Sequence, residues 1–187
     1  MQKQNKKRTG SRSKIDEMRG AKTRKPEAYA DVRRGFERRG QQSSSRFSTG
    51  SDAGWVYSEV VRDHFLHPRN LLIDEEGYEA DGIGVVGSPA CGDMMVVWIK
   101  VDESTKQIRE CKWRTFGCAS AIASTSMMSE MATENGGMTL ARAKRLTPEA
   151  IIDRLGGLPD RKYHCSVLGH QALREAVEDF EKNHGAE

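Results

Sequence analysis

The chain has 187 residues, 36% of them hydrophobic and 30% charged, with a mean hydropathy of −0.70. That is room for one ordinary domain plus an extension, and no apolar run approaches the roughly 20 residues that a bilayer crossing needs. The formal charge of +3 is unevenly spread: the first fifty residues hold fifteen Lys and Arg against five Asp and Glu, and the remainder fifteen against 22.

Residues 1–50 have scattered apolar residues without a sustained period, so they cannot bury enough to offset their ordering entropy. A basic, disordered tail is expected there, with at most a short helix around Pro26 to Arg39. Its cations can attract phosphates without sequence preference, so nucleic acid is expected as a partner only through this tail. The folded domain is expected over 51–187. No signal-peptide core follows Met1, and Asp16, Glu17, Glu27, Asp31 and Glu37 interrupt what a transit peptide would keep free of acids. The protein is expected to be cytoplasmic, with the mitochondrial matrix ranked second and no membrane partner. Four cysteines in such a chain favour metal or thiol chemistry over a disulfide framework.

"WVYSEVVRDHFLHPRN" opens the ordered part. Tyr57, Val61 and Phe65 recur every four residues beside Val56 and Val60, which predicts a helix that Pro68 stops. His64 and His67 are read as helix-surface or capping residues rather than metal ligands. "GIGVVGSPACGD", Gly82 to Asp93, predicts a strand running into a loop. In "MMVVWIKVD", Met95, Val97, Ile99 and Val101 face one side of a strand, with Val96, Trp98 and Lys100 opposite. "IRECKWRTF" follows a polar turn as its antiparallel partner and puts Cys111, Trp113 and Thr115 on one face. After Gly117 a helix is predicted up to Gly136-Gly137, with Ile122, Met127, Met128 and Met131 as core contacts. Thr139 is placed to cap a short helix to Leu146, and Thr147-Pro148-Glu149 to open another ended by Gly156-Gly157. Leu168, Leu173, Ala176, Val177 and Phe180 stripe a last helix, on which His170 takes an ordinary surface position. The fold class is therefore α+β, a small antiparallel sheet of about three strands flanked by helices.

The four cysteines form no C-x-x-C pair. Cys91 lies in a glycine-flanked loop, while Cys118 and Cys165 fall at predicted helix starts, where unpaired N–H groups and the helix dipole favour a thiolate. Cys111, in mid-strand, reads as a small buried hydrophobe. Asp93 reads equally as a turn residue and as a ligand, and Gly92 leaves the backbone free to bend between it and Cys91. His164 adds an imidazole beside Cys165. Three thiolates with one oxygen or nitrogen donor suit zinc or an iron–sulfur cluster, though spacing alone does not show that the three segments converge.

"GSPACGDMM", "RTFGCASAIASTS" and "YHCSVLGHQAL" resemble, in order, the three cysteine motifs of the U-type iron–sulfur cluster scaffold proteins, the IscU and NifU N-terminal group. The opening helix resembles that family's Y-x-x-x-V-x-D-H-x-x-x-P-R-N. The resemblance runs from about Tyr57 to Phe180. It implies a non-enzymatic scaffold that takes sulfur from a cysteine desulfurase and iron from a donor. The scaffold then assembles a transient [2Fe–2S] cluster and passes it to apo iron–sulfur proteins. By motif it implies Cys91, Cys118 and Cys165 as ligands, with Asp93 and His164 as the adjacent non-thiol donors, and one of the cysteines as persulfide acceptor, Cys118 or Cys165 by analogy. Cys111 lies outside all three motifs.

The chain also departs from the family. The branch served by an Hsp70/J-type chaperone pair carries "LPPVK" before the last cysteine motif. Here Leu158-Pro159-Asp160-Arg161-Lys162 replaces the apolar pair with a charged one, which puts that partnership in doubt. His164 sets the chain apart from the SufU branch, and the absence of the later modules of full-length NifU implies a stand-alone scaffold. Two rival readings remain: a zinc-binding structural or interaction module using the same residues, and a thiol sulfurtransferase with Cys165 as nucleophile and His164 as base.

Overall fold

The computed structural model describes residues 57–87 and 93–184, and of Arg161, His164 and Cys165 the backbone only. The sequence expectations for residues 1–50, the short helix around Pro26 included, lie outside the described residues. Chain order is α1 (Glu59–Leu66), β1 (Gly82–Gly87), β2 (Met94–Asp102), β3 (Gln107–Phe116), α2 (Ala119–Thr133), α3 (Leu140–Ala143), α4 (Pro148–Arg154) and α5 (Tyr163–His184). The strands form one antiparallel sheet in the order β1-β2-β3, so the expected α+β class and the β2–β3 hairpin both hold.

The local signals act where the sequence puts them. Ser58 Oγ caps α1 by accepting from Val61 N–H, and the chain leaves α1 at His67, just before Pro68. Thr139 and Thr147 cap α3 and α4 through their hydroxyls, each satisfying one of the N–H groups a helix start leaves over. α3 is shorter than expected, ending at Ala143 rather than Leu146. Gly136 and Gly137 end the α2 region with φ of 86° and 97°, the left-handed conformation that glycine adopts without a steric penalty.

The sheet is covered on both sides. Met95, Val97, Ile99 and Val101 join Cys111 and Trp113 in the main core against α2 and α5. The face of Met94, Val96 and Trp98 is also buried, because residues 71–80 cross it and lay Leu72, Tyr78 and Ala80 against it. Leu72 N–H donates to Trp113 O, and Tyr78 hydroxyl reaches Glu110 at 3.1 Å. α5 packs on β1 at near backbone contact: a Cβ on Gly84 would come within 1.9 Å of Ala172 O.

α2 is buried nearly all round despite its Ser and Thr content. Thr125 and Ser129 donate back to backbone carbonyls within the helix, which satisfies their hydroxyl protons locally. His64 corrects the sequence reading. It is 3% exposed rather than on the surface, with Nδ1 2.8 Å from Ser126 Oγ, and Ser126 Oγ also accepts from Arg69 N–H at 2.8 Å. The partner lies 62 residues away on α2, so no local pattern could announce it.

Candidate metal centre

One end of the sheet gathers the chemistry. Gly87 at the end of β1 pairs with Met94 at the start of β2, and Met94 pairs with Phe116 at the end of β3. Asp93 immediately precedes Met94, and Cys118 follows Phe116 by two residues, so the pairing sets both at this end. Side-chain geometry agrees. A Cβ built on Gly117 would lie 3.5 Å from Asp93 Oδ1 and 2.8 Å from Ala121 Cβ. The half-buried Asp93 carboxylate therefore lies against the backbone next to Cys118, and the close approach of Ala121 requires glycine at 117.

Cys118 is the N-cap residue of α2, with extended backbone and a carbonyl that accepts from the N–H groups of Ala121 and Ile122. Its sulfur does not cap the helix. The thiol is held half-buried at the start of α2. Cys111 is the contrast. It is wholly buried among Trp113 and the apolar core, and burial pushes its thiol up to about 12. Enclosed by apolar side chains, Cys111 packs as part of the core, in keeping with the sequence reading.

α5 starts at the same end. Its backbone passes Thr125 Oγ1 and Met95 Sδ at Gly169, Gly84 at Ala172, and Gly82 at Ala176. Gly84 pairs with Val97 and Gly82 with Ile99, so α5 climbs alongside β2 from Met95 towards Ile99. Moving back from Gly169 to the first turn leads towards Met94 and Asp93. That turn carries the backbone of His164 and Cys165. Cys91 lies in 88–92, outside the described residues, between Gly87 and Asp93. The structure thus sets Asp93 beside the Cys118 turn, and the line of α5 runs back from Gly169 towards the same end of the sheet. Among the described residues no group of three or more His, Cys, Asp or Glu that could hold a metal ion is complete. His170 is half-buried one to two turns further on, with Nδ1 3.3 Å from Val167 O, and belongs to the helix rather than this end.

Sequence reasoning passed over Ser166. It is 0% exposed, and its Oγ has no hydrogen-bond partner among the described residues. Its place three residues before Gly169 and seven before Leu173, on the buried stripe of α5, was the signal that could have found it.

Residues 56–187 match the family described as NifU-like N terminal domain. The chain belongs to that family. Among its NifU-like relatives, "Iron-sulfur cluster assembly scaffold protein IscU 1" of Archaeoglobus fulgidus is 46% identical over 130 residues, covering 70% of this chain and 80% of the relative. The protein of Aquifex aeolicus named "Iron-sulfur cluster assembly scaffold protein IscU" is 44% identical over 124 residues, covering 66% of this chain and 75% of the relative. "Nitrogen fixation protein NifU" of Nostoc is 41% identical over 129 residues, 67% of this chain and 42% of that longer protein. The resemblance drawn from the three cysteine motifs is borne out at the level of the U-type scaffold family. No helix among the described residues is long and apolar enough to cross a membrane.

Proposed function

We propose that this NifU-like chain is a scaffold on which a transient [2Fe–2S] cluster is assembled and from which it is passed to apo-proteins. The observation that carries the reading is the Asp93 carboxylate beside the Cys118 turn, at the end of the sheet where α5 begins, in a chain of this family. Cys91, Cys118 and Cys165 supply the thiolates. Asp93, with His164 as alternate, supplies the weaker fourth donor. A resident cluster is held by four thiolates as a rule, so an oxygen or nitrogen corner gives a cargo a labile point for release. Iron comes from a donor and sulfur from a cysteine desulfurase, carried as a persulfide on Cys118 or Cys165. Two electrons from an external thiol or ferredoxin-type reductant then cleave the S–S bond, release the outer sulfur as sulfide and restore the thiol. The chain itself turns over no substrate and acts as a scaffold rather than an enzyme.

Zinc is the second occupant of the same site, favoured by the same thiolates. The charged Asp160-Arg161 pair, in place of two apolar residues, weakens recognition by an Hsp70/J-type chaperone that reads an extended apolar segment.

Anaerobic reconstitution with iron, cysteine and a desulfurase tests the proposal. The wild type is expected to gain visible cluster absorption and to pass the cluster to an apo-ferredoxin, while Cys118→Ser loses most of both. Asp93→Ala is expected to keep its cluster longer in the transfer assay, several-fold, because the alternate donor His164 then holds the corner without a carboxylate to exchange with. A wild type that stays colourless but binds one zinc ion would establish the zinc reading instead. Equal cluster lifetimes in Asp93→Ala and wild type would remove Asp93 from the site.

A further inference from the structure

Ser166 is the buried polar group that the fold leaves unexplained. Its side chain is 0% exposed, and Oγ has no hydrogen-bond partner among the described residues, while the other buried Ser and Thr hydroxyls of the neighbouring α2 are satisfied within their helix, by His64 of α1 or by Tyr57 just before it. An unmet buried hydroxyl is a standing cost to the fold, larger than what a made hydrogen bond returns. Native structures hold few of them, and each calls for an explanation.

Position supplies one. Ser166 follows Cys165 in the first turn of α5, three residues before Gly169. Residues three apart share a helix face, about 4.5 Å apart along the axis. Gly169 faces Thr125 Oγ1 at 3.5 Å, Met95 Sδ at 3.7 Å and Met128 Sδ at 3.8 Å. Ser166 therefore looks into the same seam between α5, α2 and the sheet, one turn nearer Asp93, Met94 and the Cys118 cap. The hydroxyl thus lies on the buried side of the α5 start, towards the end of the sheet that holds Asp93 and the Cys118 turn.

We propose that Ser166 is a positioning residue for the sulfur cargo: its hydroxyl donates a hydrogen bond to a sulfur held between the start of α5 and the Cys118 turn. This rests on the scaffold reading above. A hydroxyl has one proton to give, and a cluster sulfide or thiolate sulfur accepts it. Hydrogen bonds to sulfur are among the levers that set a cluster's potential. The hydroxyl has no use among the described residues, and the loaded state supplies one.

The consequence is a pair of effects of opposite sign from one substitution. Ser166→Ala removes an unmet polar atom from the apo-protein and leaves a methyl group of nearly the same shape. The apo-protein should melt about 2–4 °C higher than wild type. The reconstituted protein should lose its visible band to a chelator about fivefold faster, and its absorption maxima should shift. A merely structural serine moves both states the same way. A fall in apo melting temperature would show that the hydroxyl is bonded within the fold and would overturn the proposal. A rise with unchanged band position and chelation rate would overturn it as well. A wild type that forms no visible band at all would overturn the scaffold reading first and this inference with it.

Discussion

Burial holds the His64 imidazole below its usual titration range, and the Arg69 guanidinium adds to the effect, against weaker opposition from Glu130 and Asp63. The ring is neutral in the fold, packed between α1 and α2 with Nδ1 on Ser126 Oγ. A base whose folded pKa is depressed takes up its proton more readily when unfolded. As pH falls through about 6.5, the unfolded chain binds a proton that the fold refuses, and stability is lost at up to about 1.4 kcal/mol per pH unit. Above that pH the contribution is fully present. Urea midpoints measured at pH 7.5 and 5.5 should therefore fall together with pH in the wild type. In His64→Gln, whose side-chain oxygen can take the Ser126 hydroxyl but cannot charge, the pH dependence should shrink while the pH 7.5 midpoint drops by the equivalent of about 1 kcal/mol. An unchanged pH dependence in His64→Gln would assign the acid sensitivity to other groups. Asp63 is a weaker source, since its depressed carboxyl, bonded to Arg69 and His67, lies at the surface.

The approach of α5 to β1 decides where the last cysteine motif sits. Glycine at 82 and 84 lets the helix backbone lie on the strand backbone, with Ala172 and Ala176 as its contact residues. Gly84→Ala would drive a methyl against Ala172 O, a rigid atom that cannot step aside. The cost expected from urea unfolding is about 3 kcal/mol or more with an unchanged slope, and α5 should lift, moving its first turn away from Asp93. Gly77→Ala is the matched control: its φ is 75° but nothing lies within 4 Å, so only about 1–2 kcal/mol of backbone strain is expected. Equal losses at the two positions would mean that the close helix–strand contact is not what the glycines serve. Much at this level is legible in sequence, because it is written locally. The alternation of β2 and β3, the Thr139 and Thr147 caps and the stripe of α5 each need only a few consecutive residues. What is not legible depends on contacts distant in the chain. Residues 71–80 carry no period, so their cover over Trp98 and Val96 is invisible, and two-sided burial of β2 follows from it. His64 looks like a surface residue until Ser126 arrives from α2. The candidate site divides the same way: motif order nominates the cysteines and Asp93 as the proposed ligands, while the seam that buries Ser166 exists only once α5 is packed.

The segments that carry the candidate ligands are far apart in the chain, from Cys91 to Cys165, and a shared site would have to form at the end of the sheet where Asp93 lies beside the Cys118 turn. Bringing such segments together costs loop-closure entropy that the core must cover on its own when no ion is bound. An ion bridging them binds the folded state and not the dispersed one, so its binding energy appears as folding stability. Free zinc at about 100 times its dissociation constant should add about 2.7 kcal/mol. For a domain of this size that corresponds to a melting temperature roughly 5–10 °C higher. Cys118→Ser should lose most of that rise, because a hydroxyl is a poor replacement for a thiolate at a soft ion. Cys111→Ser should behave in the opposite sense: the apo melting temperature falls, as a hydroxyl replaces a buried sulfur beside Trp113, yet the zinc-induced rise survives. The rise should also weaken as pH is lowered, since each bound thiol must give up its proton before it can ligate. Calorimetry of the six combinations, wild type and two variants each with zinc and with chelator, separates the cysteine that builds the core from the one that serves the site. A zinc response retained in Cys118→Ser and lost in Cys111→Ser would reverse the assignment and move the metal centre away from the Asp93 end of the sheet.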